Sequence, residues 1–101
     1  MIQESPECIQ IIFPEQLTEN HVKDIHKKLI KSTLYPDVLN KKELPELKIN
    51  LSLIEDLDFF GYQYLYSFYH YLKNNLKIKI LLLKNKYFKN FEKKMGLNLN
   101  I

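Results

Sequence analysis

The sequence predicts an α/β fold in which helices pack on a β-sheet. Residues 8–13 and 47–53 have the apolar content and alternation of strands, and a helical pattern lies between them. Residues 77–83 form a third strand-like stretch soon after a second helical pattern. Strand, helix and strand within about 35 residues is the spacing of a crossover between parallel strands. The order of these elements along the chain therefore indicates an α/β sheet.

Composition limits the class of protein. A chain of 101 residues with 46% hydrophobic and 27% charged residues is suited to one globular domain, spanning 1–101, with a modest core. The net charge of +3 comes from lysines spread along the chain, which argues against a nucleic-acid partner. No apolar run approaches the roughly 18 residues of a membrane span, so no membrane insertion is expected. The single cysteine, Cys8, and a start without signal-peptide layout predict a cytoplasmic protein.

The first half of the chain predicts one strand, one helix and one loop. The strand over 8–13 is rich in isoleucine and is followed by a proline. Thr18 offers an N-cap hydroxyl to a helix that runs to about residue 32. Its apolar positions at helical spacing are Val22, Ile25 and Leu29. Residues 33–46 contain prolines, Asp and Asn without a clear period, which predicts an irregular loop.

The second half predicts two strands and two helices. The strand over 47–53 alternates strictly, so one side should be buried. A helix after Asp58 should end at about residue 75, and the strand over 77–83 follows it. The expected buried positions are Leu47, Ile49, Leu51 and Leu53 in the strand and Gly61, Leu65, Phe68 and Leu72 in the helix. A last helix should bury Phe88, Phe91 and Met95 on one face and stop at Gly96.

Three short motifs in this order of elements resemble those of the STAS domains, the family named for sulphate transporters and anti-sigma-factor antagonists. They are "NLS" at 50–52, "LDFFG" at 57–61 and "MGL" at 95–97. The similarity covers most of the chain from residue 9 onward. It implies a single STAS-like domain with a mixed β-sheet and helices packed on it, acting as a regulatory module that binds other proteins.

One departure from the family pattern concerns phosphorylation. In phosphorylated members a serine or threonine just before the glycine is modified by a partner kinase. Phe60 matches that position and Phe59 replaces its neighbour, and neither side chain can accept a phosphoryl group. A phosphate there would add about 1.5 to 2 negative charges beside Asp58. The resemblance therefore implies a protein that is always competent to bind its partner or that is regulated elsewhere.

Asp58 and Gly61 each have a structural and a functional interpretation. A carboxylate at the first turn of a helix accepts backbone N–H bonds and gains about 0.3 to 1 kcal/mol from the helix dipole. Asp58 is then a cap, whereas the resemblance implies that it helps present the turn to a partner. Gly61 either lets the helix pack closely on the sheet or lets the turn approach a partner's backbone.

The tyrosines around this turn suggest an interaction surface. Five of the seven lie within residues 62–71, and two phenylalanines come just before them. Aromatic residues concentrate where interfaces form. The alternative is that several tyrosines cover the edge of the core with their hydroxyls in water. The predicted partner-binding residues are Asp58, Phe59, Phe60, Gly61, Tyr62, Tyr66 and Tyr69.

No arrangement of residues indicates catalysis, a metal site or a cofactor. His21 and His26 are five residues apart on one predicted helix, about 140° around it, and so do not converge. Gly61 and Gly96 are the only glycines, which excludes a glycine-rich phosphate loop. A polar cleft that joined a histidine to carboxylates would argue instead for an enzyme.

The predicted function is thus a non-enzymatic module resembling an anti-sigma-factor antagonist. Its partner would be an anti-sigma factor or a GHKL-type serine kinase, docked on the second main helix and the turn at 58–61. The alternative is a STAS-type accessory subunit of a bacterial lipid-transport ABC complex, bound to the ABC ATPase through the same surface. A homodimer would also cover the aromatic side chains.

Overall fold

A computed structural model describes residues 2–4, 9–31, 46–75 and 79–99 and shows the predicted α/β fold. The strands are β1 (Ile2–Glu4), β2 (Ile9–Ile12), β3 (Gln16–Leu17), β4 (Glu46–Leu51), β5 (Asp56–Leu57) and β6 (Lys79–Lys84). The helices are α1 (Glu19–Lys31), α2 (Phe59–Asn75) and α3 (Lys86–Met95). No helix within these described ranges is both long and apolar enough to cross a bilayer.

The main sheet is mixed and has the strand order β1-β2-β4-β6. β1 pairs antiparallel with β2, whereas β2 with β4 and β4 with β6 are parallel. The chain crosses from β2 to β4 through α1 and from β4 to β6 through α2. A second sheet contains only β3 and β5, paired in parallel over two residues each. β1, β3 and β5 were not predicted.

Alternation along β4 determines which face of the main sheet is buried. Leu47, Ile49 and Leu51 are buried, as predicted, while the residues between them are partly exposed. The prediction for Leu53 is wrong, because β4 ends at Leu51 and the chain turns, leaving Leu53 50% exposed. Ile54 is buried instead. Of the predicted loop over 33–46, residues 33–45 lie outside the described residues, and Glu46 begins β4.

The core lies between this face of the sheet and the three helices. α1 contributes Ile25 and Leu29, as predicted, with Val22 partly buried against them. α2 contributes the predicted Leu65, Phe68 and Leu72. The remaining buried hydrophobic residues are Ile9, Ile11, Phe13, Leu17, Leu47, Ile49, Leu51, Ile54, Leu57, Tyr62, Tyr69, Phe88 and Leu99.

Asn85 fixes the start of α3 to the turn after β4. It occupies the N-cap position, and its side-chain oxygen accepts a hydrogen bond from the Phe88 N–H (2.8 Å). Its Nδ2 donates to the carbonyl oxygens of Ser52 (2.9 Å) and Ile54 (2.8 Å). One side chain thereby satisfies a free helix N–H and two turn carbonyls.

Gly96 ends α3, as predicted. Its φ of 68° lies in the left-handed region that favours glycine. Its N–H donates to the Lys93 carbonyl (3.3 Å), and the Leu97 N–H donates to the Glu92 carbonyl (2.8 Å). These two bonds form the Schellman pattern of helix ends.

The buried face of α3 differs from the prediction at one position. Phe88 is buried and Phe91 is partly buried, but Met95 is exposed and Glu92 is buried in its place. Glu92 Oε2 accepts hydrogen bonds from the Tyr62 hydroxyl (2.6 Å) and the Leu99 N–H (2.7 Å). A sequence pattern of apolar residues could not indicate this position, because the partners of the carboxylate lie outside α3.

Lys84 completes the hydrogen bonding of Glu92. Its Nζ donates to Oε1 at 2.7 Å, and both side chains are almost completely buried. A buried carboxylate is tolerated only when it is paired and hydrogen-bonded, and here both conditions are met. The Glu92 carboxylate therefore connects α2, β6, α3 and the segment after α3.

The Tyr62 phenol should make stability depend on pH at the alkaline end. Burial first, and then the hydrogen bond to Glu92, raise the pKa of Tyr62 above its ordinary value. An unfolded chain loses the phenol proton near pH 10, before the folded protein does. The contribution of Tyr62 to stability is therefore complete below about pH 10 and is lost as pH rises through the folded-state pKa. We expect the free energy of unfolding in urea to fall above about pH 10.

The Tyr62→Phe variant should lose this part of the pH dependence, measured by urea unfolding at a series of alkaline pH values. Tyr71→Phe is the matched control, because it removes a phenol hydroxyl from an exposed position of the same helix. A pH dependence that is equally steep in both variants would contradict the role assigned to Tyr62.

Candidate functional site

Two similar strand-to-helix corners lie side by side. β3 leads into α1, and β5 leads into α2. The two strands pair in parallel, with Gln16 opposite Asp56 and Leu17 opposite Leu57. Because parallel strands end at the same edge, this pairing places the N-termini of both helices next to each other.

Asp58 joins the two corners. Its Oδ1 accepts a hydrogen bond from the Gly61 N–H in the first turn of α2 (2.8 Å). Its Oδ2 accepts one from the Glu19 N–H at the start of α1 (2.8 Å). One half-buried carboxylate thus satisfies free N–H groups of two helices and lies at the positive ends of both dipoles. The predicted capping role is confirmed for α2, and the bond to α1 is an addition that a sequence window cannot show.

Thr18 lies at the N-cap position of α1, but its hydroxyl has a different partner from the predicted one. Thr18 Oγ1 and His21 Nδ1 are hydrogen-bonded at 2.7 Å. The Thr18 carbonyl accepts bonds from the His21 and Val22 N–H groups, as a cap residue does. The side-chain oxygen that accepts from the first N–H of α1 therefore comes from Asp58.

Gly61 is buried against the protein's own backbone. A Cβ atom at this position would overlap the carbonyl group of Leu17, the last residue of β3. Close packing of α2 on the β3–β5 pair is thus the role of Gly61 that the structure shows. Gly61 itself is buried, and its contact with a partner stays a prediction.

Phe59 and Phe60 begin α2 and project from the surface. Their side chains are 47% and 53% exposed, and their rings contact each other edge to face with centroids 6.5 Å apart. The structure places both rings where a partner could cover them, next to the Asp58 cap.

The three tyrosines predicted for this surface have different positions. Tyr66 is 48% exposed, but Tyr62 and Tyr69 are buried, so the prediction that these two belong to an exposed surface is wrong. The Tyr62 ring stacks on Phe88 and Phe91 of α3, with centroids 5.7 and 5.8 Å apart. α2 is covered by α3 as well as by the sheet, so its buried arc is wider than a single apolar stripe.

A groove of about 760 Å³ lies between α1 and α2 and reaches Phe60. Its lining residues are Glu19, Val22, Lys23, His26, Phe60, Gln63, Tyr64, Ser67, Phe68 and Tyr71. We call it the α1–α2 groove. Tyr64 and Tyr71 were not included in the predicted site, although the i, i+4, i+7, i+11 spacing of Phe60, Tyr64, Ser67 and Tyr71 is the signal that could have found them.

Contacts between the two helices shape the groove. His26 Nδ1 and the Tyr64 hydroxyl lie 3.1 Å apart, and the two rings meet edge to face. The Tyr64 ring also lies parallel to that of Phe68, with centroids 6.2 Å apart. The lining of the groove is therefore largely aromatic, and it also includes polar side chains such as Glu19 and Lys23.

The histidines do not form a reactive arrangement with one another. His21 bonds Thr18, His26 bonds Tyr64, and His70 packs against Tyr66 with ring centroids 4.3 Å apart. His70 Nε2 is buried and has no hydrogen-bond partner within the described residues. In the same parts of the chain, no group of three or more His, Cys, Asp or Glu side chains could hold a metal ion.

Replacing Asp58 should destabilise the fold through both helices. Asp58→Ala removes two acceptor bonds, and we expect a loss of about 2 kcal/mol in the free energy of unfolding, measured by urea denaturation. Asp58→Asn keeps one side-chain oxygen and should lose roughly half as much.

Asp56→Ala is the control, because Asp56 is an exposed acid in β5 and should change stability by less than about 0.5 kcal/mol. If Asp58→Ala and Asp56→Ala were equally mild, Asp58 would not hold the two corners together.

In comparisons with known proteins, no family model, no curated protein and no solved structure matches this chain. The resemblance to STAS domains therefore remains a prediction from three short motifs. The geometry of the Asp58 corner and the α1–α2 groove is independent of that resemblance.

Proposed function

We propose that this protein is a non-catalytic module that binds a regulatory protein partner through one docking face. The docking face consists of the α1–α2 groove together with the exposed rings of Phe59 and Phe60. The observation that carries the proposal is the pair of exposed phenylalanines beside a preformed aromatic groove. Clustered exposed aromatic side chains are typical of protein interaction sites.

The energetics of the docking face favour binding to a macromolecule. Covering apolar surface contributes about 25 cal/mol per Å², so two half-exposed phenylalanine rings provide a substantial driving force. Both rings lie at the start of α2, which Asp58 and Gly61 hold in place. The backbone of both aromatic anchors is therefore held in place before a partner binds, which lowers the entropy lost on binding.

The resemblance to anti-sigma-factor antagonists supports an anti-sigma factor or a GHKL-type serine kinase as the partner. On this proposal the protein makes and breaks no bond itself. Phe60 replaces the hydroxyl that a kinase would modify, so phosphorylation of residue 60 cannot release the partner. Binding is then permanent or is controlled at another position.

Isolation of the complex from native cells tests this proposal. The tagged protein should copurify with one regulatory ATPase or anti-sigma factor, and Phe60→Asp should reduce recovery at least about tenfold by placing a charge in the apolar contact. Leu53→Asp is the matched control, because Leu53 is equally exposed but lies in the turn after β4 and does not line the α1–α2 groove. It should leave recovery unchanged.

The identity of the recovered protein distinguishes the alternatives. An ABC ATPase would favour the accessory subunit of a lipid-transport complex, and a second copy of this chain would favour a homodimer. Recovery that depends equally on Phe60 and Leu53, or on neither, would argue against the docking face.

A further inference from the structure

A second concave region lies between α3, β6 and the turn after β4. It has a volume of about 670 Å³, and its polar lining residues are Ser52, Lys84, Lys89, Glu92, Lys93 and Asn98. Leucines of β6 and of the segment after α3 complete the lining. We call it the lysine pocket.

The charge in the lysine pocket is positive. Three lysines and one glutamate line it, which leaves two positive charges. The Glu92 carboxylate does not oppose an incoming anion strongly, because Lys84 neutralises it and because both of its oxygens already accept hydrogen bonds. The electrostatic preference of the site is therefore set by the lysines.

Lys84 provides a donor in the lining of the pocket that is held by its bond to Glu92. Its side chain is only 12% exposed, and its ammonium lies 5.7 Å from the centre of the Phe88 ring. An ammonium group has three N–H donors. Within the described residues, one of them is used, in the bond to Glu92 Oε1. A largely buried ammonium with further donors available is a favourable partner for an anion.

Lys89 and Lys93 bring two more positive charges to the same place. They lie one turn apart on α3, and the described part of the chain shows no carboxylate bonded to either. Like charges at this spacing repel each other. Lys93 lies in the last turn of α3, where a positive charge interacts favourably with the helix dipole. Lys89 lies outside that turn and has no such stabilisation. An anion between them would relieve the repulsion.

We propose that the lysine pocket binds a small molecule that carries a phosphate group. Lysine ammonium groups are common ligands of phosphate oxygens. The volume exceeds what phosphate alone needs and is in the range of small-molecule sites. The leucine side chains would then contact the organic part of the ligand. The lysine pocket shares no lining residue with the α1–α2 groove. The proposal therefore does not depend on the proposed docking face.

Titration with inorganic phosphate and phenyl phosphate, followed by the backbone amide signals in NMR, tests the proposal at fixed ionic strength. The amides of Lys84, Lys89 and Lys93 should shift and reach saturation, with phenyl phosphate binding more tightly than phosphate. The double variant Lys89→Gln, Lys93→Gln should raise Kd at least about tenfold, because it removes two charge-assisted contacts.

The matched control is Lys27→Gln, Lys28→Gln, which removes the same two charges from exposed positions of α1 that line neither the lysine pocket nor the α1–α2 groove. It should leave Kd unchanged within about twofold, because separated exposed charges are screened by salt. Shifts that grow without saturation, or an equal effect of both double variants, would overturn the proposal and leave only solvated surface lysines. Saturable shifts confined to another region would overturn it as well.

Discussion

The fold depends on one carboxylate that serves two helices. Two helix N-termini placed side by side bring two positive dipole ends together and leave several N–H groups without partners. The negative charge of Asp58 is favourable at both positive dipole ends. Its two oxygens accept hydrogen bonds from the N–H groups of Glu19 and Gly61. The absence of a side chain at Gly61 lets α2 approach the Leu17 carbonyl closely enough for this arrangement. The carboxylate and the glycine therefore set the position of α2 relative to α1.

The position of α2 determines which of its many aromatic residues are available for binding. The sheet covers one side of the helix, and α3 covers another through Tyr62, which is hydrogen-bonded to the buried Glu92. The side that faces α1 is only partly closed, by the contact between His26 and Tyr64. The α1–α2 groove is what remains, and Phe60 lies at its end. The surface proposed for docking thus exists because α2 is incompletely covered on this side.

Local sequence patterns were sufficient to predict the features that depend only on neighbouring residues. The alternation of Leu47, Ile49 and Leu51 gave the buried face of β4, and Gly96 marked the end of α3. The prediction that Leu53 is buried was wrong, because an alternating pattern does not show where a strand ends. β3 and β5 are only two residues long, so they contain no pattern to detect.

The candidate site was predictable only where it is local in sequence. Asp58 and the two phenylalanines form a recognisable turn, and the cap on α2 follows from it. The bond from Asp58 to α1 and the burial of Tyr62 depend on residues about 30 to 40 positions away. Tyr69 was predicted to be exposed, because the sequence did not show that more than one neighbouring element packs on α2. The burial and the bonding of these residues depend on tertiary packing, which the helical periodicity of the sequence does not show.

The most direct test of the account is the NMR measurement of nitrogen–carbon couplings across hydrogen bonds to the side-chain carboxyl carbon of Asp58. The account predicts that two backbone amides, those of Glu19 and Gly61, both show a coupling to this single carbon. A coupling from Gly61 alone would mean that Asp58 caps only its own helix. The two corners, and with them the α1–α2 groove, would then have to be held together in another way.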